Sequence, residues 1–490
     1  MSAGTASSWQ DRLAFGLLLL LVAAIPWPWA AVGVTTQAAV MLLTGIGLGL
    51  SLLAPQARPW SGSTAFRLAV LGWLLWLLAL GISLLPLPQP WLALLSPAAA
   101  DLHGSVASLG IAPANTLSVE PAASRAYWAA SAALFGVYLL AARTVSGSAR
   151  RRKLLMVMAL VAGAQAFYGL GMTLTGTEIG FFERKVFGRG WATGTFINRN
   201  HFAHLLALGG AASLGLLLSW RSSDPRRSGW RGSVLGAINW LMSPALVWRV
   251  LLLVLLSAVV LSQSRMGNVA FMVAMAFGVL VWTVLHDRAR LLTAVLLLSS
   301  FAVADLWVVS RYYGLERVVE RLDDTELETE QRAVALRDLA PLLDQYQWVG
   351  SGGGSFQSVF MAQQSETLSN RYDHAHNEYA EFTIEHGWFG LAWMLMMGAL
   401  HFGHALRLLR NRKSAGTRAL ALAASVALSA AALHSLTDFI LHIPALRFWL
   451  IILLGAVAAA TASPYARPRQ SPAQDDQAAF TSTSLGSSGA

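Results

Sequence analysis

The stretch YDHAHNEYAEFTIEHGWFGLAWML, residues 372–395, places His374, His376, Asn377 and three glutamates within one short run. Imidazole changes charge near neutral pH, so a histidine here is suited to taking a proton from a hydroxyl. His376 is the candidate base. Asp373 has the form of a helix cap, which would put His376 in the first turn of a helix running into the next apolar segment. His374 and His376 are two residues apart and cannot share a helix face. They could hold a metal together only from extended chain. No H-E-x-x-H or similar cluster accompanies them, so no metal or other cofactor is expected. Glu378, Glu381 and Glu385 fall at i, i+3, i+7 and read as a solvated acidic face.

Cations stand at the edges of apolar runs. In LSQSRMGNVA, Arg265 follows Ser262, Gln263 and Ser264 at a membrane boundary. A charge at that depth is expensive and points to function, with an interfacial anchor as the alternative. The run FFERKVFGRGWATGTFINRN carries Arg184, Lys185, Arg189 and Arg199. Arg184 and Lys185 fit either snorkelling to headgroups or an anion site. Arg199, followed by Asn200 and His201, stands at a helix start, where backbone amides also favour anions. In TELETEQRAVALRDLAPLLDQY, Arg332, Leu336, Leu339 and Leu343 share one stripe of an amphipathic helix. An arginine on a buried stripe needs an anion, either a neighbouring glutamate or a substrate phosphate. The glycine-rich WVGSGGGSF lacks the Gly-Lys-Ser/Thr of a nucleotide loop and reads as a tight turn where backbone meets backbone.

The elements that position these residues follow from hydropathy. The 490-residue chain is 55% hydrophobic and 12% charged. Soluble domains carry about 25% charge, so three soluble domains are excluded. Apolar runs instead predict an all-α, polytopic bundle of about twelve spans. They lie at 13–32, 36–54, 66–86, 126–145, 153–174, 202–219, 247–263, 268–285, 290–310, 387–408, 418–437 and 443–461. The first reads as a retained span, not a signal peptide. Basic residues cluster in alternate loops, after the fourth, sixth, eighth and tenth spans. The positive-inside rule makes those loops and both termini cytoplasmic. Three loops then face outward: 87–125, with its interfacial LPLPQPWLALLSP, 175–200, and the large 311–386. The division is 1–310 for nine spans, 311–386 for the catalytic loop, 387–463 for three spans and 464–490 for a disordered tail. With no cysteine, disulfides, thiolate nucleophiles and cysteine-ligated metals are excluded. The net charge of +10 forms no basic stripe with interleaved aromatics, so nucleic acid is not an expected partner.

The motifs TGTFINRNHFAHLL, LSQSRMGN and HAHNEYAEFTIEHGWFG together resemble the O-antigen ligase and Wzy-type polymerase superfamily of bacterial surface polysaccharide enzymes. The likeness runs from about residue 120 to 460. Its most specific element is His-Asn, nine residues, then Gly: His376, Asn377 and Gly387. The resemblance implies a metal-independent, inverting glycosyltransferase in the inner membrane with a periplasmic site. Such enzymes move a glycan from undecaprenyl pyrophosphate to an acceptor sugar hydroxyl. In ligases the acceptor is lipid A–core, and in polymerases a second lipid-linked glycan. His376 would contact or deprotonate the acceptor, with Arg265 and Arg332 on the pyrophosphate. Arg199, Arg189, Lys185, His201, Asn377 and His374 would be further substrate contacts. A different class, a non-enzymatic transporter, is disfavoured by the lack of a clear internal repeat.

Overall fold

The structure is a computed structural model and describes residues 8–54, 63–181, 183–185, 189–220, 243, 245–286, 334, 337–366, 368, 372–411 and 414–460. The span expected over 290–310, Arg332, Leu336 and the tail from 464 lie outside the described residues. Within them the chain is helical, and its strand-like pairing is one isolated bridge between Ile179 and Arg184. The helices are α1 (Trp9–Ala24), α2 (Val34–Leu53), α3 (Thr64–Ile82), α4 (Gln89–Leu95), α5 (Pro97–Ser108), α6 (Pro121–Thr144) and α7 (Gly147–Thr175). After these come α8 (Arg199–Ser219), α9 (Leu246–Ser262), α10 (Arg265–His286), α11 (Phe356–Met361), α12 (Glu378–Asn411), α13 (Ala415–His434) and α14 (Pro444–Ala458).

The protein is a multi-pass membrane helix bundle. Eight described helices, α2, α3, α6, α7, α8, α10, α12 and α13, are long and apolar enough to cross a bilayer, and α9 and α14 are shorter apolar helices. Composition decides which helices are central. α8 and α13 are rich in alanine and glycine, and their apolar windows are 89% and 78% buried, against 17% for α2. Small residues let backbones approach where lipid offers no hydrophobic drive to associate. A Cβ added at Gly215 of α8 would lie 2.4 Å from the Ala419 carbonyl oxygen of α13. At the periphery, α2 turns Leu42, Leu52 and Leu53 outward, as hydrocarbon solvent permits.

Two unusual pieces of backbone hold the site end of the bundle. The segment expected to begin a span at residue 387 belongs to a longer helix, α12, which starts at Glu378. Position 387 is a break inside it, with Gly387 at φ 66, ψ −175. That region of backbone space is open essentially only to glycine. The break frees helical carbonyls, and the glycine-rich turn takes them up. Ser351 N–H donates to Ile384 O at 2.8 Å, and Gly352 N–H donates to Glu385 O at 2.9 Å. In return Trp388 N–H donates to Gln347 O at 2.7 Å. The approach is so close that a Cβ at Gly387 would lie 2.1 Å from Trp348 O, and one at Gly350 2.1 Å from Glu385 O. This is the backbone-on-backbone contact expected of WVGSGGGSF. Residues 87–125, folded in part as α4 and α5, seal the far side of the turn. Val119 N–H donates to Ser351 O at 2.9 Å, and Ser124 Oγ donates to Gly353 O at 2.9 Å.

Gly387→Ala therefore meets both forbidden backbone and a clash with a carbonyl. It is expected to cost ~3 kcal/mol, read as a lower melting temperature of the detergent-purified chain. Gly398→Ala, with open space at its Cβ, is the matched control and should melt like wild type.

Candidate functional site

The segment 372–377 is non-helical, so His374 and His376 stand on irregular chain ahead of α12. His376 has φ 49, a left-handed conformation uncommon outside glycine and adopted mostly by Asn, Asp and His. The helix cap differs from expectation. Asn377 Oδ1 accepts from Ala380 N–H at 3.1 Å, whereas Asp373 accepts from the Gln357 side chain. His376 is thus just outside the helix, and Asn377 is occupied in starting it.

The acidic run is not solvated. Glu378, Glu381 and Glu385 are 1%, 1% and 2% exposed, which corrects the expected solvated face. Buried carboxylates must be paired or hydrogen-bonded, and each of these is. Glu381 accepts from His374 Nδ1 at 2.7 Å and from Ala375 N–H at 2.8 Å. Its Oε1 is also 3.3 Å from His442 Nε2. Glu378 Oε2 lies 3.1 Å from His442 Nδ1, and its other oxygen accepts from Leu441 N–H. Glu385 Oε1 accepts from Phe356 N–H at 3.1 Å, at the start of α11. Pattern alone could not separate these readings, because the partners come from residues 356, 374–375 and 441–442.

His376 faces a second buried acid. Its Nδ1 lies 3.5 Å from Asp438 Oδ1, and His201 Nε2 of α8 lies 3.7 Å from the same oxygen. Asp438 is 1% exposed, while the His376 side chain is 31% exposed. Both contacts are ion-pair distances, longer than good hydrogen bonds. Burial pushes the Asp438 carboxyl up, but the two histidines outweigh it and hold it well below the usual carboxylate range. Phe439 packs among the imidazoles, with ring centroids 4.1 Å from His374, 4.8 Å from His201 and 5.0 Å from His376. A carboxylate behind Nδ1 orients the ring so that Nε2 can act on a substrate. Asp438 and His442 were not singled out from the sequence. The available signal was an acid beside an apolar span, in SLTDFILHIP.

Two helix starts lie next to this centre. Arg199 opens α8 and Arg265 opens α10. Ser264 Oγ donates to Asn200 Oδ1 at 2.7 Å and accepts from Gly267 N–H at 3.1 Å, tying the two starts together. A Cβ at Gly267 would lie 2.5 Å from the Ala203 Cβ. His201, one turn into α8, makes the link to Asp438. Arg265 is exposed and Arg199 is half-buried, with its guanidinium 3.9 Å over the Trp191 ring. Lys185 and Arg189 are engaged elsewhere. Lys185 is 3% exposed and lies 3.4 Å from Glu178; burial lowers its ammonium pKa despite that partner. Arg189 Nε donates to Lys185 O at 2.9 Å, and Arg184 is exposed.

Ligand atoms of His374, Glu381 and His442 lie within 4.8 Å of one another, a donor set that could in principle hold a metal ion. The three side chains also pair with one another, Glu381 with both histidines. Burial pushes the His442 imidazole down, yet Glu381 and Glu378 raise it to about 10. The folded protein therefore binds this proton more tightly than the unfolded chain does. Stability from His442 is full below about pH 6.5 and is lost as pH rises toward about 10. The difference in melting temperature between wild type and His442→Gln should shrink across that window. A constant difference would contradict the buried ion pair.

No curated protein matches the chain. A family profile does, over residues 250–395, and its description is O-antigen ligase. The matched segment holds Arg265, the glycine-rich turn, His376, the buried glutamates and the Gly387 break. His201, Asp438 and His442 lie outside it. Over that segment the chain is similar to the O-antigen ligase family.

Proposed function

We propose that the chain is an O-antigen ligase-like inverting glycosyltransferase. It would move a glycan from undecaprenyl pyrophosphate to a sugar hydroxyl of lipid A–core on the periplasmic face of the inner membrane. The observation that carries this is the His376–Asp438 contact beside the paired helix starts of Arg199 and Arg265. His376 Nε2 takes the acceptor hydroxyl proton as the hydroxyl oxygen bonds to the anomeric carbon. The carbon–oxygen bond to pyrophosphate breaks from the opposite face, and its electron pair stays on the phosphate. Asp438 keeps His376 oriented and balances the imidazolium that forms. Arg265 and Arg199 meet the leaving pyrophosphate with charge-assisted hydrogen bonds, aided by the amides of α8 and α10. By resemblance, Arg332 joins them.

The family resemblance supports a reaction without metal. Positioning and fixed charge suffice for a leaving group as good as pyrophosphate.

In a reconstituted assay with lipid-linked glycan and lipid A–core, His376→Ala should lower kcat roughly 10²–10⁴-fold. Asp438→Asn should lower kcat and alter the pH–rate profile with little change in donor KM. Arg265→Ala should raise donor KM. Transfer unaffected by His376→Ala would remove the base from this mechanism. A ladder of repeats made without lipid A–core would identify a polymerase instead. Transfer should persist in excess EDTA; full loss, restored by one divalent ion, would place a metal at His374, Glu381 and His442.

A further inference from the structure

A cavity of about 510 Å³ opens within the bundle between α3, α6, α12, α13 and α14. That volume is within the ~300–1,000 Å³ of small-molecule sites. One wall is aromatic. Trp76 and Trp393 stack with centroids 4.4 Å apart, and Trp73 meets Trp393 edge-on at 5.5 Å. Trp393 Nε1 donates to Gly72 O at 2.8 Å, so this indole presents carbon rather than a donor. The cavity is elongated. Tyr127 and Tyr138 of α6 both line it, and their eleven-residue separation is about 16 Å of helix. At the Tyr138 end, the hydroxyl and His401 Nε2 satisfy each other at 3.1 Å.

The other end holds Arg447 of α14. Its guanidinium makes no hydrogen bond or ion pair among the described residues, and it feels Tyr127 and Glu378 only through space. Glu378 is already engaged by His442 and Leu441 N–H. A cation inside an apolar bundle with no bonded anion is costly. An anion entering from the cavity would relieve that cost. The α12 lining of the cavity runs from Tyr379 and Phe382 through Trp393 and Met397 to His401 and Phe402. Glu381, on a different face of α12, meets His374. His376, Asp438, Arg199 and Arg265 do not line the cavity, which meets the frame of that centre at Ser435 and Leu441, on either side of Asp438.

We propose that this cavity binds the phosphate end and first chain carbons of a membrane phospholipid. Arg447 takes the phosphate through its planar fork, and the tryptophans and the aliphatic residues of α13 and α14 enclose the chain. Charge complementarity and a long apolar channel inside a membrane bundle fit an anionic amphiphile. Neither feature fits a free sugar or a neutral lipid.

The full chain, purified in maltoside detergent, is titrated with phosphatidylglycerol and bound lipids are counted by native mass spectrometry. Wild type should retain one lipid, and Arg447→Gln should lower its apparent affinity roughly tenfold or more. Ser131→Phe narrows the cavity while leaving Arg447 in place. It should lose the lipid too, which keeps the test decisive if Arg447→Gln fails to fold. Diacylglycerol of the same chain length should not be retained. Equal phosphatidylglycerol occupancy in wild type and a folded variant would overturn the proposal. So would equal retention of diacylglycerol, or displacement of the lipid by excess inorganic phosphate, which would indicate a free-anion site.

Discussion

Three carboxylates on the first turns of α12 must be buried and still be met by protons or donors. Each unpaired carboxylate would cost several kcal/mol in this environment. Glu378, Glu381 and Glu385 are met by three different stretches of chain: the 440–442 turn, the 372–377 segment and the start of α11. One helix end thereby fixes three loops that have few regular hydrogen bonds of their own. His376 inherits its position from this arrangement. It is held on one side by Ala375, bonded to Glu381, and on the other by Asn377, which caps the helix. Its left-handed backbone is tolerable because both neighbours are tied down.

The break at Gly387 serves the same end of the molecule. A straight α12 would keep the Ile384 and Glu385 carbonyls for itself and leave the glycine-rich turn without partners. The break hands those carbonyls to Ser351 and Gly352. The turn then presents α11 to Glu385 and leans on residues 117–124. Glycine is required at 350 and 387 because two backbones pass with no room for a Cβ and both residues hold positive φ.

Charge in the bundle is distributed by purpose. His442 supplies a fixed proton to Glu378 and Glu381. Asp438 supplies a fixed negative charge to His376 and His201. The first arrangement is closed and structural. The second leaves His376 partly open beside the amides and arginines that begin α8 and α10. The proposed transfer would need both, a rigid frame and one accessible base.

Hydropathy by itself determined that this chain is a polytopic helical bundle, since a bilayer demands long apolar helices. The residue types of HAHNEYAEFTIEHG marked the candidate site, and the glycine-rich run was legible as a backbone contact. Tertiary structure decided the rest. An i, i+3, i+7 glutamate run looks the same whether water or buried imidazole answers it, and His442 lies far along the chain. Asp438 carries no local pattern that assigns it to His376. In sequence Lys185 fitted a headgroup contact or an anion site, yet it faces Glu178, and Arg189 faces the Lys185 carbonyl. Periodicity reports what a helix face contains, whereas charge pairing depends on which distant face is packed against it.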